Sequence, residues 1–454
     1  MKNIFSAPTA VNLEITDACN LKCRHCYNFW REEGSATVSL SRDQLDGLLD
    51  IFVEAKVFHV VFSGGEPMTR FDILEYGIKR ALSLGMSVSC NSNLLLATDD
   101  NLARLSDAGL DHILTSLNSY DRETNDYMVR LDGAFDKIVS GIEAAVCNRI
   151  RVSVNMIVAQ KNRNHVYETG RLCHRLGCQK LFGTRTVPSI NLEHADETEF
   201  RLIKEDARHT LDQLVRVKKD TGIMIGTLVS YPLCLLGDLE KYADFVGRGC
   251  PAQSGHVISI NANGETHACV HEAQGYGNVF EIGIKQAYQN MIKWHDKSYY
   301  YKECAGCEYI QICETGCRLS AHAYFGSLDG KDQLMEGKDK FIEPYKLVYD
   351  PSFYQKVNQG AVFTVPRRLR FRKEDGYYLV NIRWANTITC PTDVAELLIK
   401  YQASGLGFGI DDIGVNNREI LARLFFKDAI ECSELKYNDL RHKAGLSDSI
   451  IDRV

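Results

Sequence analysis

The sequence predicts an α/β protein whose first half contains a largely parallel sheet. Between residues 8 and 230, short apolar runs typical of buried strands alternate with longer stretches of helical period. Alternating strands and helices favour a parallel sheet that binds ligands at the carboxyl ends of its strands. Cysteines are concentrated again in residues 231–340, and strands precede helices in residues 341–454. The sequence therefore predicts three domains with these limits.

The predicted elements of the first domain follow one another regularly. Strands are expected at 11–16, 57–62, 86–90, 112–117, 151–158 and 180–184. Helices are expected at 39–54, 71–84, 99–108, 133–147 and 165–176. A strongly charged stretch between Thr198 and Asp220 has apolar residues at helical intervals, which indicates a solvated bridging helix rather than a binding element.

The composition of the 454 residues limits the classes of function. Their 45% hydrophobic content is enough for two or three cores, but no run approaches the roughly 18 apolar residues of a membrane span. Residues 1–6 lack the apolar stretch of a secretory signal, and the net charge of −6 gives no reason to expect nucleic acid. We therefore expect a cytoplasmic protein with no membrane or nucleic-acid partner, whose clustered cysteines bind metal rather than form disulfides.

The first group of cysteines lies directly after the first predicted strand. Cys19, Cys23 and Cys26 have Cys-x3-Cys-x2-Cys spacing, and the residues between them are mostly polar, unlike core cysteines. Thiolate is the soft ligand that iron–sulfur clusters select, so each cysteine can ligate one iron of a cubane [4Fe–4S] cluster. The fourth iron is then left without a protein ligand, and it can bind a substrate or a cofactor.

This run, preceded by Leu13-Glu14-Ile15-Thr16 and followed by Tyr27, resembles the signature of the radical S-adenosylmethionine (AdoMet) superfamily. The resemblance implies a partial (β/α)6 barrel, and it implies that AdoMet chelates the open iron through its amine and carboxylate. One electron from the reduced cluster then cleaves the S–C5′ bond, and the resulting 5′-deoxyadenosyl radical abstracts a hydrogen from substrate. Cys19, Cys23 and Cys26, the radical-site cysteines, are the implied catalytic ligands. A flavodoxin or ferredoxin is the implied electron donor.

A glycine pair follows the second predicted strand. Gly64-Gly65-Glu66-Pro67 would by itself suit an ordinary turn, since glycine permits close backbone approach and Pro67 removes a donor. Its position after a strand, about forty residues beyond the radical-site cysteines, matches the GGEP motif of the same family. The resemblance gives Gly64, Gly65, Glu66 and Pro67 a role in binding AdoMet, through backbone groups that contact its amine.

Polar residues also follow the third and fourth predicted strands. In relatives, such groups contact the ribose and carboxylate of AdoMet, and the resemblance extends this role to Asn91, Asn93, Ser116 and Asn118. Ordinary loop polarity explains the same residues equally well. Asn155 and Arg185, near the next two strands, could also face the cavity.

The second group of cysteines has the more informative spacing. Cys250-x13-Gly264-x4-Cys269 is followed by Cys304-x2-Cys307-x5-Cys313-x3-Cys317. Cys304-x2-Cys307 alone would suit the tetrahedral zinc of a zinc ribbon, but the order of all six thiols with Gly264 favours iron–sulfur ligation. The pattern resembles the SPASM domain, an appendage of many radical AdoMet enzymes that binds one or two auxiliary [4Fe–4S] clusters.

The SPASM resemblance implies an interleaved pairing of these thiols. Cys250, Cys269 and Cys317 form the first auxiliary set, and Cys304, Cys307 and Cys313 form the second auxiliary set. The family's closing cysteine is missing, because the next thiol after Cys317 is Cys390. The second cluster is then incomplete or absent, or its fourth ligand is one of three oxygen or nitrogen donors: Asp329, Asp332 or His322. For the first set, Cys234 or His256 could be the fourth ligand, or an open iron could bind a substrate thiolate.

The composition changes again after residue 340. Strands are expected at 362–365, 369–372 and 377–382, followed by a helix with Pro391 in its first turn and another at 416–430. This order predicts a small α+β module of winged-helix type, which weakly resembles the peptide-recognition element of ribosomal peptide maturation. A basic cluster would suit an acidic leader peptide, or it would simply solubilise an edge strand: Arg367, Arg368, Arg370, Arg372 and Lys373.

The resemblances together predict a radical AdoMet oxidoreductase that modifies a ribosomally synthesised precursor peptide. It would form a thioether or carbon–carbon crosslink, while an auxiliary cluster accepts an electron or binds a thiolate. A dehydrogenase of a small alcohol or sugar is the alternative enzyme, and a non-catalytic iron–sulfur redox protein is the alternative of another class. In sulfatase-maturing relatives an aspartate base follows the cysteine of the Gly-x4-Cys step, but Val270 occupies that position here. Sulfatase maturation is therefore disfavoured.

Overall fold

The computed structural model describes residues 4–28, 37–187, 197–247, 249–337, 351–384 and 386–435. The chain divides into two compact units, Met1–Ile342 and Glu343–Val454. The predicted boundary between residues 340 and 341 lies outside the described residues. The two segments predicted as separate domains, 8–230 and 231–340, both lie in the first unit.

A single mixed sheet forms the centre of the first unit, and its neighbouring strands are parallel except for the last pair. Its order is β7-β6-β5-β4-β3-β2-β1-β8-β9. The strands are β1 (Ala10–Glu14), β2 (His59–Ser63), β3 (Ser87–Asn91), β4 (His112–Ser116), β5 (Arg151–Val158), β6 (Lys180–Arg185), β7 (Met224–Gly226), β8 (Val257–Ile260) and β9 (Thr266–His267). The predicted α/β fold with a parallel sheet is confirmed.

Helices connect the strands, and the longer ones bury an apolar face. They are α1 (Arg42–Glu54), α2 (Phe71–Ser83), α3 (Asp99–Asp107), α4 (Arg122–Val129), α5 (Ala134–Cys147), α6 (Val166–Arg175), α7 (Glu197–Phe200), α8 (Lys204–Thr221), α9 (Leu233–Leu236), α10 (Val279–Asn290), α11 (Ile292–His295), α12 (Ile310–Cys313) and α13 (Arg318–Phe325). Helix α1 begins where Ser41 and Gln44 form a capping box, with Ser41 Oγ accepting from the Gln44 amide at 3.2 Å. Among the helices of the described ranges, none combines the length and apolar character of a membrane span.

The charged stretch predicted as a solvated bridging helix packs on the sheet instead. Helix α8 buries Leu211, Leu214 and Val217. Two glycines make this close packing possible, because a Cβ at Gly170 would collide with Val217 and one at Gly183 with Leu214. Its many charges lie on the opposite face, which explains why composition alone indicated a solvated helix.

Strand β8 joins the cysteine-rich segment to the sheet. It pairs in parallel with β1, in the register Val11 to Ile258. The amides of Thr9 and Ala10 both donate to the carbonyl of His256 at 2.9 Å. The segment after residue 231 therefore extends the same sheet, which places its cysteines near the carboxyl end of β1.

The second unit contains two small antiparallel sheets and short helices. Its strands are β10 (Phe363–Thr364), β11 (Arg370–Lys373), β12 (Tyr377–Arg383), β13 (Asn386–Pro391) and β14 (Glu431–Cys432), and its helices are α14 (Pro351–Asn358), α15 (Thr392–Ser404), α16 (Ile410–Ile413) and α17 (Arg418–Phe426). The sheets have the orders β11-β12-β13 and β10-β14. Aromatic rings form much of the core, including Phe353 and Phe425 with centroids 5.3 Å apart.

The start of α15 corrects one prediction. Pro391 lies outside the helix, at its N-cap, and it ends strand β13 rather than occupying the first helical turn. The preceding residues pair with β12, with Cys390 opposite Tyr378, and Cys390 is buried. A hairpin strand running directly into the helix was not evident, because Thr389–Thr392 suits a helix start on its own.

The basic cluster of this unit has acidic partners within the same unit. Arg368 forms ion pairs with Asp428 at 3.0 Å and with Glu431 at 2.7 Å. Arg372 is buried against Glu374 at 2.7 Å. Strand β11, which carries part of the cluster, is an edge strand of its sheet. These contacts favour the interpretation of a charged edge strand over that of a surface for an acidic leader.

Candidate functional site

The first unit contains a cavity of about 390 Å³ at the carboxyl ends of its parallel strands. The last residues of four strands line it: Ser63, Asn91, Ser116 and Arg185. Asn155 of β5 also lines the cavity, and its side-chain oxygen accepts from Thr184 Oγ1 at 2.6 Å. The sheet therefore brings polar groups from successive strands to one place, as its parallel order requires.

The radical-site cysteines lie on the loop after β1, and all three line the cavity. The loop is anchored to α4, because the Arg24 amide donates to the carbonyl of Met128 at 2.9 Å. The Arg24 guanidinium also lies 4.0 Å from the centre of the Tyr127 ring. A tight turn brings Cys23 and Cys26 together, and the Leu21 amide points at Cys19 Sγ from 3.5 Å. Backbone donors near the sulfurs are one means by which proteins tune iron–sulfur clusters.

The glycine pair packs directly against the start of this loop. Gly64 has φ +142°, and a Cβ at Gly64 or Gly65 would collide with the carbonyl oxygen of Thr16 or Ala18 respectively. The Gly65 and Glu66 amides donate to these same two carbonyls, each at 2.7 Å. The motif thus fixes the backbone immediately before Cys19, in addition to lining the cavity.

Glu66 connects the loops after β2 and β3. Its buried carboxylate accepts from the Met68 amide at 3.0 Å, from Ser92 Oγ at 2.8 Å and from the Asn93 amide at 2.7 Å. Burial raises the pKa of Glu66, while these hydrogen bonds act in the opposite direction. Asn93 in turn donates to Asn20, beside Cys19, at 2.7 Å. Glu66 therefore positions two of the polar loops that surround the cysteines.

The cavity contains six of the eight residues predicted to contact AdoMet: Gly64, Gly65, Glu66, Asn91, Asn93 and Ser116. Pro67 and Asn118 lie outside the lining. Pro67 is buried at the start of a 3-10 turn. The Asn118 side-chain oxygen accepts from the Ile157 amide at 3.1 Å, and its carbonyl accepts from Asn162 at 2.7 Å. Asn118 thus supports the β4 and β5 loops rather than facing the cavity.

The first auxiliary set lines the same cavity as the radical-site cysteines. Burial raises the pKa of Cys250 to about 12, with a further contribution from the nearby Cys317. Burial also raises the pKa of Cys269, to which Cys250 and Cys317 add. Such mutual effects require the three thiols to lie close together. The sequence separates Cys250 from Cys317 by two strands and three α-helices, so the fold itself assembles this set.

An aromatic bridge joins the two groups of cysteines in the cavity. The Tyr27 ring lies 4.5 Å from the His271 ring, and His271 Nδ1 lies 3.8 Å from Cys269 Sγ. Burial raises the pKa of the Tyr27 hydroxyl, and it lowers that of His271 to about 4. His271 was not predicted as a site residue. Its position two residues after Cys269 was the only signal in the sequence.

Neither predicted fourth ligand of the first auxiliary set lines this cavity. His256 Nδ1 lies 3.1 Å from Thr9 Oγ1, and its ring packs 4.8 Å from Phe5. Cys234 lies beside the second auxiliary set, where its charge acts on Cys304 and Cys313. The set therefore brings three thiols to the cavity.

A buried ion pair fixes the backbone of Cys317. Asp332 accepts from Arg185 at 2.6 and 3.0 Å, and both side chains are at most 1% exposed. The same carboxylate accepts from the Cys317 amide at 2.8 Å and from the Leu334 amide at 2.9 Å. With both oxygens engaged, Asp332 acts as a positioning residue rather than the iron ligand considered from the sequence.

The chemistry of the donors fits iron–sulfur clusters. All sixteen cysteines lie in described residues, and none forms a disulfide. Within the described ranges, no three His, Cys, Asp or Glu side chains have the spacing for a single metal ion. A cubane instead distributes its ligands around a cage of four irons, which three thiols facing one cavity can serve.

Comparison with known proteins identifies the first part of this unit. Residues 13–173, which include the end of β1, strands β2 to β5 and the radical-site cysteines, match the family model described as the radical SAM superfamily. The chain contains a radical SAM domain. Its cofactors are AdoMet and a [4Fe–4S] cluster, as expected from the three cysteines.

Similarity to characterised proteins extends beyond the radical SAM domain. The chain is 25% identical over 366 residues to the AdoMet-dependent heme synthase of Methanosarcina barkeri, covering 76% of this chain and 98% of that protein. It is 26% identical over 345 residues to the mycofactocin maturase MftC of Mycolicibacterium smegmatis, covering 73% of this chain and 84% of that protein.

A solved structure shares the fold. Streptococcus suis SuiB, crystallised with its precursor peptide SuiA, superposes with a TM-score of 0.57 at 17% identity, covering 73% of this chain and 76% of that one. At this identity the likeness concerns the fold, and it agrees with a radical SAM sheet continued by further elements.

Proposed function

We propose that this chain is a radical SAM peptide maturase that oxidatively modifies a ribosomally synthesised precursor peptide, forming a thioether or carbon–carbon crosslink. The observation that carries the proposal is that the radical-site cysteines and the first auxiliary set line one cavity of about 390 Å³. A crosslinking reaction needs a hydrogen acceptor and an electron acceptor beside the same substrate. A passive redox protein has no need of a shared cavity.

The residues of the cavity divide this work between them. Cys19, Cys23 and Cys26 would bind the radical-site cluster, and the first auxiliary set would bind the second iron–sulfur centre. The glycine pair and Asn93 fix the loop that carries Cys19, so they would keep the AdoMet site in register with the strands. When bound, AdoMet and the reduced cluster supply a 5′-deoxyadenosyl radical, and the auxiliary centre supplies an electron acceptor.

Two of the relatives support a peptide as the substrate. SuiB was crystallised with a precursor peptide, and MftC is named as a maturase. A cavity of about 390 Å³ lies at the lower end of the range for ligand pockets, about 300–1,000 Å³.

A second candidate is chemistry on a heme precursor. It is favoured by the match that spans 98% of the Methanosarcina barkeri heme synthase. Two relatives, SuiB and MftC, point to a peptide instead, which places this candidate second. A dehydrogenase of a small alcohol or sugar would fit the volume, but no relative described above is named for that activity.

The test is an assay on anaerobically reconstituted full-length protein. It would be incubated with AdoMet, dithionite and the peptide from a small open reading frame encoded beside it, in parallel with a heme precursor. We expect 5′-deoxyadenosine and a peptide that has lost two hydrogen atoms per crosslink. An unchanged peptide together with a converted heme precursor would overturn the proposal in favour of the second candidate.

A control variant separates catalysis from contamination. The variant with Cys19, Cys23 and Cys26 replaced by alanine should form no 5′-deoxyadenosine and leave the peptide unchanged. Replacing Cys147, an exposed cysteine on α5, by alanine should alter neither product. A flavodoxin or ferredoxin replacing dithionite should support the same products.

A further inference from the structure

The second auxiliary set lies beside a fourth cysteine that precedes it in the sequence. Cys304, Cys307 and Cys313 are joined by tight turns, in which the Cys307 amide donates to the Cys304 carbonyl at 3.0 Å. Cys234 lies on the short helix α9, some seventy residues earlier. None of these four cysteines lines the cavity of the radical site.

Three contacts between chain segments bring Cys234 to the other thiols. The Leu233 amide, next to Cys234, donates to Cys313 Sγ at 3.4 Å. The Glu336 amide donates to Cys234 Sγ at 3.2 Å, and the adjacent Met335 sulfur lies 3.6 Å from Cys304 Sγ. The segments around residues 234, 304, 313 and 335 therefore lie against one another, which brings Cys234 near Cys304 and Cys313.

The electrostatics of the thiols agree with this placement. Burial raises the pKa of Cys304 to about 11, and Cys234 and Cys307 raise it further. Burial likewise raises the pKa of Cys313 to about 12, with Cys234 and Cys304 contributing. These mutual effects agree with the contacts above, which place Cys234 beside Cys304 and Cys313.

We propose that Cys234, Cys304, Cys307 and Cys313 form a complete four-thiolate site for a [4Fe–4S] cluster, closed by an upstream cysteine. This site rests on the auxiliary iron–sulfur chemistry of the proposed function, but it does not depend on which substrate is modified. With Cys234 as the fourth ligand, the second auxiliary set needs neither a downstream cysteine nor an oxygen ligand. It also releases Cys234 from the first auxiliary set, which keeps its fourth position open to the cavity.

The candidate oxygen ligand Asp332 is already committed elsewhere. Both of its oxygens accept from Arg185 and from backbone amides, including that of Cys317 in the other set. Asp329 lies at a half-buried turn, where it accepts from Ser327 Oγ. Four cysteine ligands are the usual complement of a [4Fe–4S] cluster that only transfers electrons.

The test uses full-length protein in which the radical-site cysteines are replaced by alanine, so that only auxiliary clusters contribute. We expect about eight irons per chain in this background, four for each cluster. Adding Cys234→Ala should lower the content to about four irons. A second variant, Cys234→Ser, keeps a weak oxygen ligand and should retain iron, but ⁵⁷Fe Mössbauer spectra should show one iron with altered ligation.

Matched controls make the result specific. Cys390→Ser removes another buried cysteine, in the second unit, and should leave iron content and spectrum unchanged. Asp329→Asn and His322→Ala test the alternative ligands and should also leave both unchanged. Iron content and spectra of both Cys234 variants that match the background would overturn the proposal, as would zinc bound by these cysteines. Because this background cannot cleave AdoMet, the result is independent of the peptide assay.

Discussion

The two auxiliary groups of cysteines contain the same ligands but differ in their surroundings. Cys250, Cys269 and Cys317 line the cavity that also contains the radical-site cysteines. Cys304, Cys307 and Cys313 lie outside that lining, against Leu233 and the Met335–Glu336 segment. The two groups therefore differ in whether a substrate in the cavity could reach their thiols. Three thiols line the cavity, and Cys234 is the proposed fourth member of the group that lies outside it.

The largest expected effect is on the rate of peptide modification when the first auxiliary set is lost. Replacing the first auxiliary set by alanine should lower the rate of peptide modification at least about a hundredfold, because the electron acceptor beside the substrate is lost. AdoMet cleavage without peptide should change by less than about tenfold, since the radical-site cysteines are intact. Product analysis by mass spectrometry would measure both rates. Equal loss of both activities would contradict the division of roles.

The ion pair behind Cys317 should be essential for the stability of the first group. Asp332→Asn leaves the buried Arg185 without its charge partner, and such breaks cost about 3–5 kcal/mol of unfolding free energy. Denaturant unfolding would measure the loss, and iron analysis should show partial loss of one cluster. Asp329→Asn, at a half-buried turn without an ion-pair partner among the described residues, is the matched control and should cost far less than Asp332→Asn, about 0.5 kcal/mol. Equal stability of the two variants would show that the pair has no such role.

The backbone before Cys19 should be sensitive to a single methyl group. In Gly65→Ala the new Cβ would collide with the Ala18 carbonyl, so the cysteine loop must move. We expect AdoMet cleavage to fall by roughly tenfold to a hundredfold, as for other displaced positioning groups near metals.

Gly47→Ala provides the control for this substitution. Its Cβ meets no atom within 4 Å, and the residue lies in helix α1. Cleavage should be unchanged, and stability should rise by about 0.5–1 kcal/mol because alanine favours the helix. If both alanine variants cleave AdoMet at the rate of the unaltered protein, the glycine pair does not position the loop.

The smallest expected effect is at Arg318, whose charge should influence the reduction potentials of both auxiliary clusters. Its buried guanidinium, whose pKa is lowered by burial, lies near Cys250 and Cys317 of one group and Cys313 of the other. Arg318→Gln removes a cation that favours the more negative, reduced clusters. The reduction potentials of both auxiliary clusters should therefore fall, by on the order of tens of millivolts.

Arg318→Lys keeps the charge and serves as the control for this prediction. Its potentials should lie closer to those of the unaltered protein than the potentials of Arg318→Gln. Redox titration followed by electron paramagnetic resonance would measure both clusters. A shift confined to one cluster would place Arg318 with that group alone.

The sequence predicted the parallel sheet and the radical-site loop because both depend on local patterns. Apolar runs marked β1 to β6 to within a few residues, and the spacing of Cys19, Cys23 and Cys26 was itself the signal. Helix α4 was missed, since Arg122–Val129 has few apolar residues in a helical pattern. Strand β8 was missed because it pairs with a strand nearly 250 residues earlier.

The auxiliary ligands depend on such long-range pairing, so spacing alone could not fix them. Cys234 was considered for the first auxiliary set, whereas the structure places it beside the second, because nothing in the local sequence distinguishes the two. Asp332 was considered as a ligand because its partner Arg185 lies on a distant strand. Asn118 was chosen for its place at the end of β4, yet its side chain supports β5. The sequence could predict that residues near the strand ends surround the site, but it could not predict which of their side chains face the cavity.

The most direct test of the central claim is ⁵⁷Fe Mössbauer spectroscopy of the fully reconstituted protein, with and without AdoMet. We expect about twelve irons per chain, of which two lack a cysteine ligand. One of these should change on addition of AdoMet, and the other should respond only to substrate. A spectrum with only one iron that lacks a cysteine ligand would contradict this prediction, because it would show that the first auxiliary cluster has four protein ligands.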